Sequence, residues 1–348
     1  MIRGALAAGV MAVFAMTGPA SGQAPEVTAR VLAFDDLAGW PDDDHGAALT
    51  AFLNTCGDMK GADWRALCGL AKSHPDPRKF FELFFRPVLI EDGKPMLFTG
   101  YFEPELDGSR YRSARFSTPL YRKPPEMASG QRWHSRSEIE EQGLLAGRGL
   151  EIVWVDDPVE AFFLQIQGSG RVRLAEGGVV RVGYGGANGH DYRSIGQELV
   201  RRGVYSAHQV SAQVIRNWVK RNPVDGADLL RHNPSYVFFR EVTQVPAEMG
   251  PLGAMNRSIT TMRSIAVDPA YVTLGAPVWI EKAGADPLNR LMIAQDTGSA
   301  IKGAQRADIF YGTGDAAGAA AGRVRDSGRI VVLMPIQMAY AMETEGTI

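Results

Sequence analysis

Only two of the 348 residues are cysteine, Cys56 and Cys68, and only six are histidine. The histidines stand alone, with no H-x-H or H-x-x-x-H pair, so no metal site is expected. The chain also lacks a basic run, and its formal net charge is −2. That balance argues against nucleic acid or an anionic membrane surface as partner. Past the N-terminus no apolar run approaches the ~20 residues that span a bilayer. There is no internal repeat, low-complexity tract or long linker. A complete G-x-G-x-x-G is missing too. Gly312-Thr313-Gly314-Asp315 begins as a dinucleotide loop would, but Ala317 stands where the third glycine belongs. The length that remains suits one large or two medium domains.

The N-terminus has a distinct texture. Met1-Ile2-Arg3 precedes an apolar stretch from Ala5 to Met16, and then Gly18-Pro19-Ala20-Ser21-Gly22. A basic start, a short apolar run and small residues, in that order, predict a secretory signal peptide over residues 1–22. The competing reading is a buried N-terminal helix. No cysteine lies near the cut, so a cysteine-linked lipid anchor is not expected. Export places Cys56 and Cys68 in an oxidising compartment, where a bridge between them would contribute ~2–3 kcal/mol. Without export they would be two buried thiols.

Residues 23–90 read as helical. The acidic run Asp42, Asp43 and Asp44 reads as a solvated helix cap. Leu49, Phe52, Leu53 and Cys56, and then Phe80, Phe81, Leu83, Phe84 and Phe85, recur at helical spacing as core residues. From Met96 the texture changes to short apolar runs between Gly, Pro and Asp turns: 96–98, 150–155, 161–167 and 179–182. These predict strands. Helices are expected near 191–202 and 206–221. Strands then resume at 236–239, 276–281, 291–294, 308–311 and 330–334. Many short strands with glycine-rich turns point to barrels.

Three aspartates stand out. Asp268, Asp296 and Asp308 each sit at the end of an apolar strand beside Gly or Pro. Carboxylates brought together cannot all ionise freely, so at least one should have a raised pKa, as a general acid needs. The competing reading is that each caps a turn. Asp296-Thr297-Gly298-Ser299 matches the aspartic-protease tetrad, but that chemistry needs two such loops and there is no second copy. In the middle of the chain, Gln165 and Gln167 alternate with apolar residues and are expected on one strand face. Side-chain amides there would suit a sugar-lined groove; an ordinary solvent face is the alternative.

Taken together, the residues resemble the lytic murein transglycosylase A (MltA) family with its three-aspartate (3D) domain. The resemblance is carried by Phe98-Thr99-Gly100-Tyr101, Tyr121-Arg122-Lys123-Pro124-Pro125, Gln165-Ile166-Gln167-Gly168-Ser169-Gly170, the stretch from Tyr184 to Gly189 with Tyr192-Arg193-Ser194-Ile195-Gly196, Asn233 to Phe239, and the three-aspartate segment. It implies a mainly β fold with N-terminal helices. A double-psi β-barrel would comprise residues 23–104 and 240–348, and a second, smaller β-barrel, residues 105–239, would be inserted into it. The substrate groove would lie between them. It further implies Asp308 as general acid/base, Asp296 and Asp268 in support, and Thr99, Gly100, Tyr101, Gln165, Gln167, Gly168 and Ser169 on the substrate. Lys302 is a candidate for holding charge nearby. Ser299 and Phe310 stand where the family would have Gly and Tyr.

The implied reaction is cleavage of peptidoglycan glycan strands with formation of a 1,6-anhydro sugar. No cofactor is implied. The partners would be glycan strands and other wall-remodelling enzymes, and the location the periplasm, with or without association with the outer membrane. Two other functions share parts of this pattern: a glycan hydrolase, which needs a second working carboxylate, and a wall-binding module that cuts nothing.

Overall fold

The computed structural model describes residues 27–345, except Ser129 and Ala247. The proposed signal segment, residues 1–22, lies outside the described residues. The chain starts with β1 (Thr28–Val31), then α1 (His45–Leu53), α2 (Ala62–Ala71) and α3 (Pro77–Phe84), and then β2 (Phe85–Glu91) and β3 (Leu97–Glu103). The middle holds β4 (Glu105–Ser109), β5 (Thr118–Tyr121), α4 (Arg136–Glu141), β6 (Glu151–Val155), α5 (Pro158–Gln167), β7 (Gly170–Leu174), β8 (Val179–Ala187), α6 (Ile195–Arg201), α7 (Ala212–Arg221), α8 (Pro223–Arg231) and β9 (Val237–Glu241). The last third holds β10 (Ser264–Val267), β11 (Pro277–Lys282), β12 (Leu288–Asp296), β13 (Arg306–Thr313), α9 (Asp315–Ala321), β14 (Arg325–Asp326), β15 (Gly328–Pro335) and α10 (Ile336–Glu345). No helix among the described residues is long and apolar enough to cross a membrane.

Two sheets organise these strands. The first has nine strands in the order β1-β2-β15-β11-β12-β10-β13-β3-β14, drawn from both ends of the chain. The second has six, β5-β6-β4-β7-β8-β9, all from the middle. A bridge between Arg122, just past β5, and Phe239 in β9 nearly closes the second sheet into a barrel. The fold is thus mainly β with helices, as expected.

Residues 23–90 are not all helical. β1 and β2 pair antiparallel at the edge of the nine-stranded sheet. Phe85, expected to continue the helix, opens β2, because helix and strand share one aromatic core there. Phe52, Phe80, Phe81 and Phe85 stack with centroids 5.2–6.3 Å apart. Burial of such rings stabilises by about 1.5–3 kcal/mol each and outweighs local propensity. Cys56 and Cys68 are joined within this helical layer, with Cα atoms 5.3 Å apart.

The acidic run also differs from expectation. Asp44 is a solvated cap, accepting from the Ala47 amide. The Asp43 carboxylate instead is buried. It takes two hydrogen bonds from Arg263 (2.8 and 3.0 Å) and one from the Leu291 amide (2.9 Å). The ion pair ties the start of α1 to the start of β10, and the Leu291 bond ties it to β12. Gln295 makes a second tie: its amide donates to Ala51 O and to Thr55 Oγ1, and its oxygen accepts from Ser264. With Gln295 held against α1 and strand side chains alternating in direction, Asp296 is turned to the opposite face.

The segment 161–167, expected as a strand, is the body of α5. Asp157 caps it by accepting from the Val159 amide, Pro158 occupies the first turn, and Gly168 closes it at φ 81°. A cap, an N-terminal proline and a left-handed glycine outweigh four alternating residues. Gln165 and Gln167 therefore do not share one face of a strand.

Candidate active site

The site is built on the register of three adjacent strands. β13 runs parallel to β3, pairing Asp308 with Thr99 and Phe310 with Tyr101. On its other side β13 runs antiparallel to β10, pairing Asp308 with Ala266. β10 in turn lies parallel to β12, pairing Ala266 with Asp296. Asp296 and Asp308 thus flank Ala266 on a central strand, with backbones ~10 Å apart at ~4.8 Å per strand step. A methyl group between them leaves a floor open to a ligand.

That floor is the base of a groove of about 290 Å³, at the lower end of small-ligand sites. The nine-stranded sheet contributes Gly100, Tyr101, Ala266, Asp296, Arg306 and Asp308, with the loop from Thr297 to Ile301. The inserted part contributes Arg136, Gln165, Ile166, Gln167, Tyr192, Asn233, Ser235 and Val237. The groove therefore has a carboxylate-bearing side and a side rich in amides and hydroxyls.

The two carboxylates differ in their bonds. Oδ1 of Asp296 accepts from the amides of Ala254 (3.0 Å) and Thr297 (2.9 Å), and Oδ2 accepts from the Tyr101 hydroxyl (3.0 Å). Both oxygens are committed. Oδ1 of Asp308 accepts from the Thr99 hydroxyl at 2.6 Å. Its Oδ2 has no hydrogen-bond partner among the described residues and faces the groove. Burial pushes Asp308 above the ordinary carboxylate range, opposed by the Thr99 bond and the Arg306 charge. Burial also raises Asp296, to about 6, against its hydrogen bonds, with the charge of Asp308 as the smallest contribution.

Asp268 is placed elsewhere. Its oxygens accept from the amides of Ala270 (3.2 Å) and Gly303 (2.9 Å), and Lys302 reaches it at 3.6 Å. It ties the end of β10 to the 298–303 loop and does not line the groove. Repulsion among three carboxylates is therefore not what raises Asp308; burial is. Lys302, the expected cation, points at Asp268 from an exposed position. Arg306 lines the groove instead.

Of the other expected contacts, Gly100, Tyr101, Gln165 and Gln167 line the groove, while Thr99, Gly168 and Ser169 are not on its wall. Thr99 stands behind Asp308, and Gly168 caps α5. Gln167 accepts from the Phe102 amide (3.2 Å), linking α5 to β3. Gly100 is required by close packing, since a Cβ there would lie 2.7 Å from the Cα of Ala321.

Sequence reasoning missed Arg136, which is buried between the rings of Phe162 and Tyr236 at 4.7 and 4.9 Å. It donates to Asn233 O, Ser235 O and the Gln165 amide oxygen, so it holds the amide side of the groove together. The Ser135–Glu138 capping box beside it was the available local signal. Arg306 had no signal of its own.

The titration of Asp296 has a consequence for stability. A folded-state pKa of about 6 exceeds the unfolded value of ~3.9. The folded protein therefore binds this proton more tightly, and the group favours folding fully only below pH ~3.9. That contribution is lost as pH rises through about 6. Asp296→Asn should flatten stability across this window and raise it at pH 7 by on the order of 2 kcal/mol. Denaturant titrations at pH 4 and pH 7 test this, and a mutant that tracks wild type at both would exclude it.

Residues 97–240 match the MltA specific insert domain, and residues 263–334 match the 3D domain. Over 265 residues the chain is 32% identical to the membrane-bound lytic murein transglycosylase A of Vibrio cholerae, a match covering 72% of this chain and 69% of that one. A crystal structure of membrane-bound lytic murein transglycosylase from Agrobacterium tumefaciens matches with a TM-score of 0.82 at 31% identity, covering 90% of this chain and 99% of that one. The crystal structure of Escherichia coli MltA with bound chitohexaose matches with a TM-score of 0.71 at 27% identity, covering 88% of this chain and 94% of that one.

Proposed function

The chain belongs to the membrane-bound lytic murein transglycosylase A family, and from that premise we propose that it cleaves peptidoglycan glycan strands by a single-carboxylate mechanism on Asp308. The bond cut is the β-1,4 linkage between N-acetylmuramic acid and N-acetylglucosamine. The observation that carries this reading is the free Oδ2 of Asp308 in a groove whose other carboxylate, Asp296, has both oxygens engaged.

Protonated Asp308 gives its proton to the glycosidic oxygen as that bond to C1 breaks. The resulting carboxylate takes the proton from the muramic acid C6 hydroxyl, whose oxygen forms the new bond to C1. The product is a 1,6-anhydro ring, and Asp308 ends protonated as it began. The nucleophile is part of the substrate, so orientation replaces a second carboxylate. Well-oriented intramolecular reactions reach effective molarities of ~10⁵ M or more. A burial-raised pKa suits a residue that must act first as acid and then as base.

Gln165, Gln167, Tyr192, Asn233 and Ser235 offer donors and acceptors to sugar hydroxyl and acetamido groups on the opposite wall. A glycan strand is proposed to lie where the Escherichia coli protein holds chitohexaose. We place the enzyme in the periplasm, after export on the N-terminal segment. Mass spectrometry of digested peptidoglycan tests the reading. Anhydro-muramyl ends are the expected product; reducing muramyl ends would assign a hydrolase, and uncut strands a binding module.

A further inference from the structure

The parallel pairing of β3 and β13 brings more than Thr99 to Asp308. It also sets Arg306, two residues before Asp308, beside Leu97, two residues before Thr99. Arg306 Nη1 is pinned by the carbonyls of Ala307 (2.7 Å) and Leu97 (3.2 Å), one on each strand. Its Nη2 donates to Thr99 Oγ1 at 2.8 Å. Thr99 in turn lies 2.6 Å from Asp308 Oδ1.

We infer that Arg306 and Thr99 form a positioning relay that reserves Oδ1 of Asp308 as an acceptor and leaves Oδ2 as the oxygen that gives and takes the catalytic proton. This rests on the reading of Asp308 as acid/base. A guanidinium has only donors and keeps its charge, so its hydrogen must meet a lone pair of Thr99. The single hydroxyl proton of Thr99 is then directed away from Arg306, and the acceptor within reach is Oδ1. The polarity of this chain is the same whether Asp308 is protonated or ionised. When Asp308 carries its proton, that proton sits on Oδ2, in the groove. Without the relay either oxygen could take it, and half of the protonated molecules would hold it behind the wall.

The relay also tunes the acid. A donor aimed at Oδ1 and a cation behind that donor both favour the carboxylate, and both oppose the burial that raises Asp308. The other groups around Asp308 are few. β10 carries no titratable side chain. β3 adds Tyr101, bonded to Asp296, and Glu103, tied to Arg171 and Thr313. β14 adds Arg325, whose charge acts against that of Arg306. α9 begins with Asp315, which is exposed, and Asp296 lies across Ala266.

The test is the pH dependence of kcat and KM on soluble, peptide-free glycan strands, for Thr99→Val, Thr99→Ser, Arg306→Gln and Asp308→Asn. Losing a hydrogen bond to a charged group should move the alkaline limb of kcat/KM upward by about one pH unit. Thr99→Val should also lower kcat about twofold or more at its own optimum, with KM nearly unchanged, because proton placement acts on the chemical step. Thr99→Ser, which keeps the hydroxyl, should restore both. Arg306→Gln, which removes the cation, should move the limb the same way. If Thr99→Val proves unfolded by thermal melting, Arg306→Gln and Thr99→Ser still decide the question. Unmoved limbs in folded variants, or a Thr99→Val defect confined to KM, would overturn the relay while leaving Asp308 as acid/base, provided Asp308→Asn is inactive. An active Asp308→Asn would overturn the reading beneath it.

Discussion

Asp308→Asn should lower glycan cleavage by at least about 10²–10⁴-fold, the contribution of a positioned acid/base. Asparagine has the same shape, so its amide oxygen can still accept from Thr99 and the β3–β13 register should hold. Its nitrogen would then face the groove, and an amide neither gives up a proton to a glycosidic oxygen nor recovers one from a hydroxyl. No neighbour can substitute. Both oxygens of Asp296 are occupied by Ala254, Thr297 and Tyr101, and Asp268 is bound into the loop at Gly303. The fold should not suffer, because a carboxyl raised by burial gains nothing from its charge in the folded state. Product release from purified peptidoglycan, measured beside a thermal melt, tests both halves. Activity within tenfold of wild type would remove Asp308 from the role proposed for it.

Glu103→Ala should cost about 3–5 kcal/mol of stability, the range for breaking a buried ion pair from one side. Glu103 ends β3, where the chain leaves the nine-stranded sheet for the six-stranded one, and its carboxylate is fully buried. Arg171 donates to it at 2.9 Å from β7, and Thr313 at 2.8 Å from β13. Arg181 Nε from β8 lies 3.1 Å from the other oxygen, close enough for an ion pair but without hydrogen-bond alignment. The same two arginines donate to Met249 O on the returning connection. One carboxylate thus joins both sheets and, through its partners, both crossings between them. Removing it leaves two cations facing each other across a buried space. Glu103→Gln, which keeps the shape, should cost less than Glu103→Ala. Chemical denaturation measures the difference, and a loss below about 1 kcal/mol for the alanine variant would show that the node carries little.

Much of the fold was legible in the sequence for identifiable reasons. Short apolar runs ending in glycine or proline marked β6, β11 and β15 because strand ends and turns carry local chemistry. The helices near 191–202 and 206–221 showed their period. The misreading of α5 is instructive: Leu164 to Gln167 alternates like a strand, yet Asp157-Pro158 before it and Gly168 after it are helix punctuation. Weighing those caps would have corrected the reading from sequence. Nothing comparable was available for β1, which forms because β2 offers it an edge, or for Asp43, whose burial depends on Arg263, 220 positions away.

The candidate site divides along the same line. Residue type and flanking turns singled out Asp268, Asp296 and Asp308 as groups worth weighing, and the resemblance ranked Asp308 first. Which carboxylates share a groove, and which oxygen is free, depended on the pairing of β12, β10, β13 and β3. That pairing joins Asp308 to Thr99 across 209 positions and Asp296 to Tyr101 across 195. It also excluded Asp268 and Lys302 and brought in Arg306, while Arg136 on the opposite wall is placed by Gln165, Asn233 and Ser235. The sequence by itself determined the chemistry available, the mainly β texture and the strand ends at which Asp268 and Asp296 stand, because these follow from side-chain type and short-range backbone preference; Asp308, also expected at a strand end, lies inside β13. The tertiary structure alone decided partners, burial and hence pKa, because these depend on which distant strands lie side by side, and the free energy that selects their register is summed over the whole core.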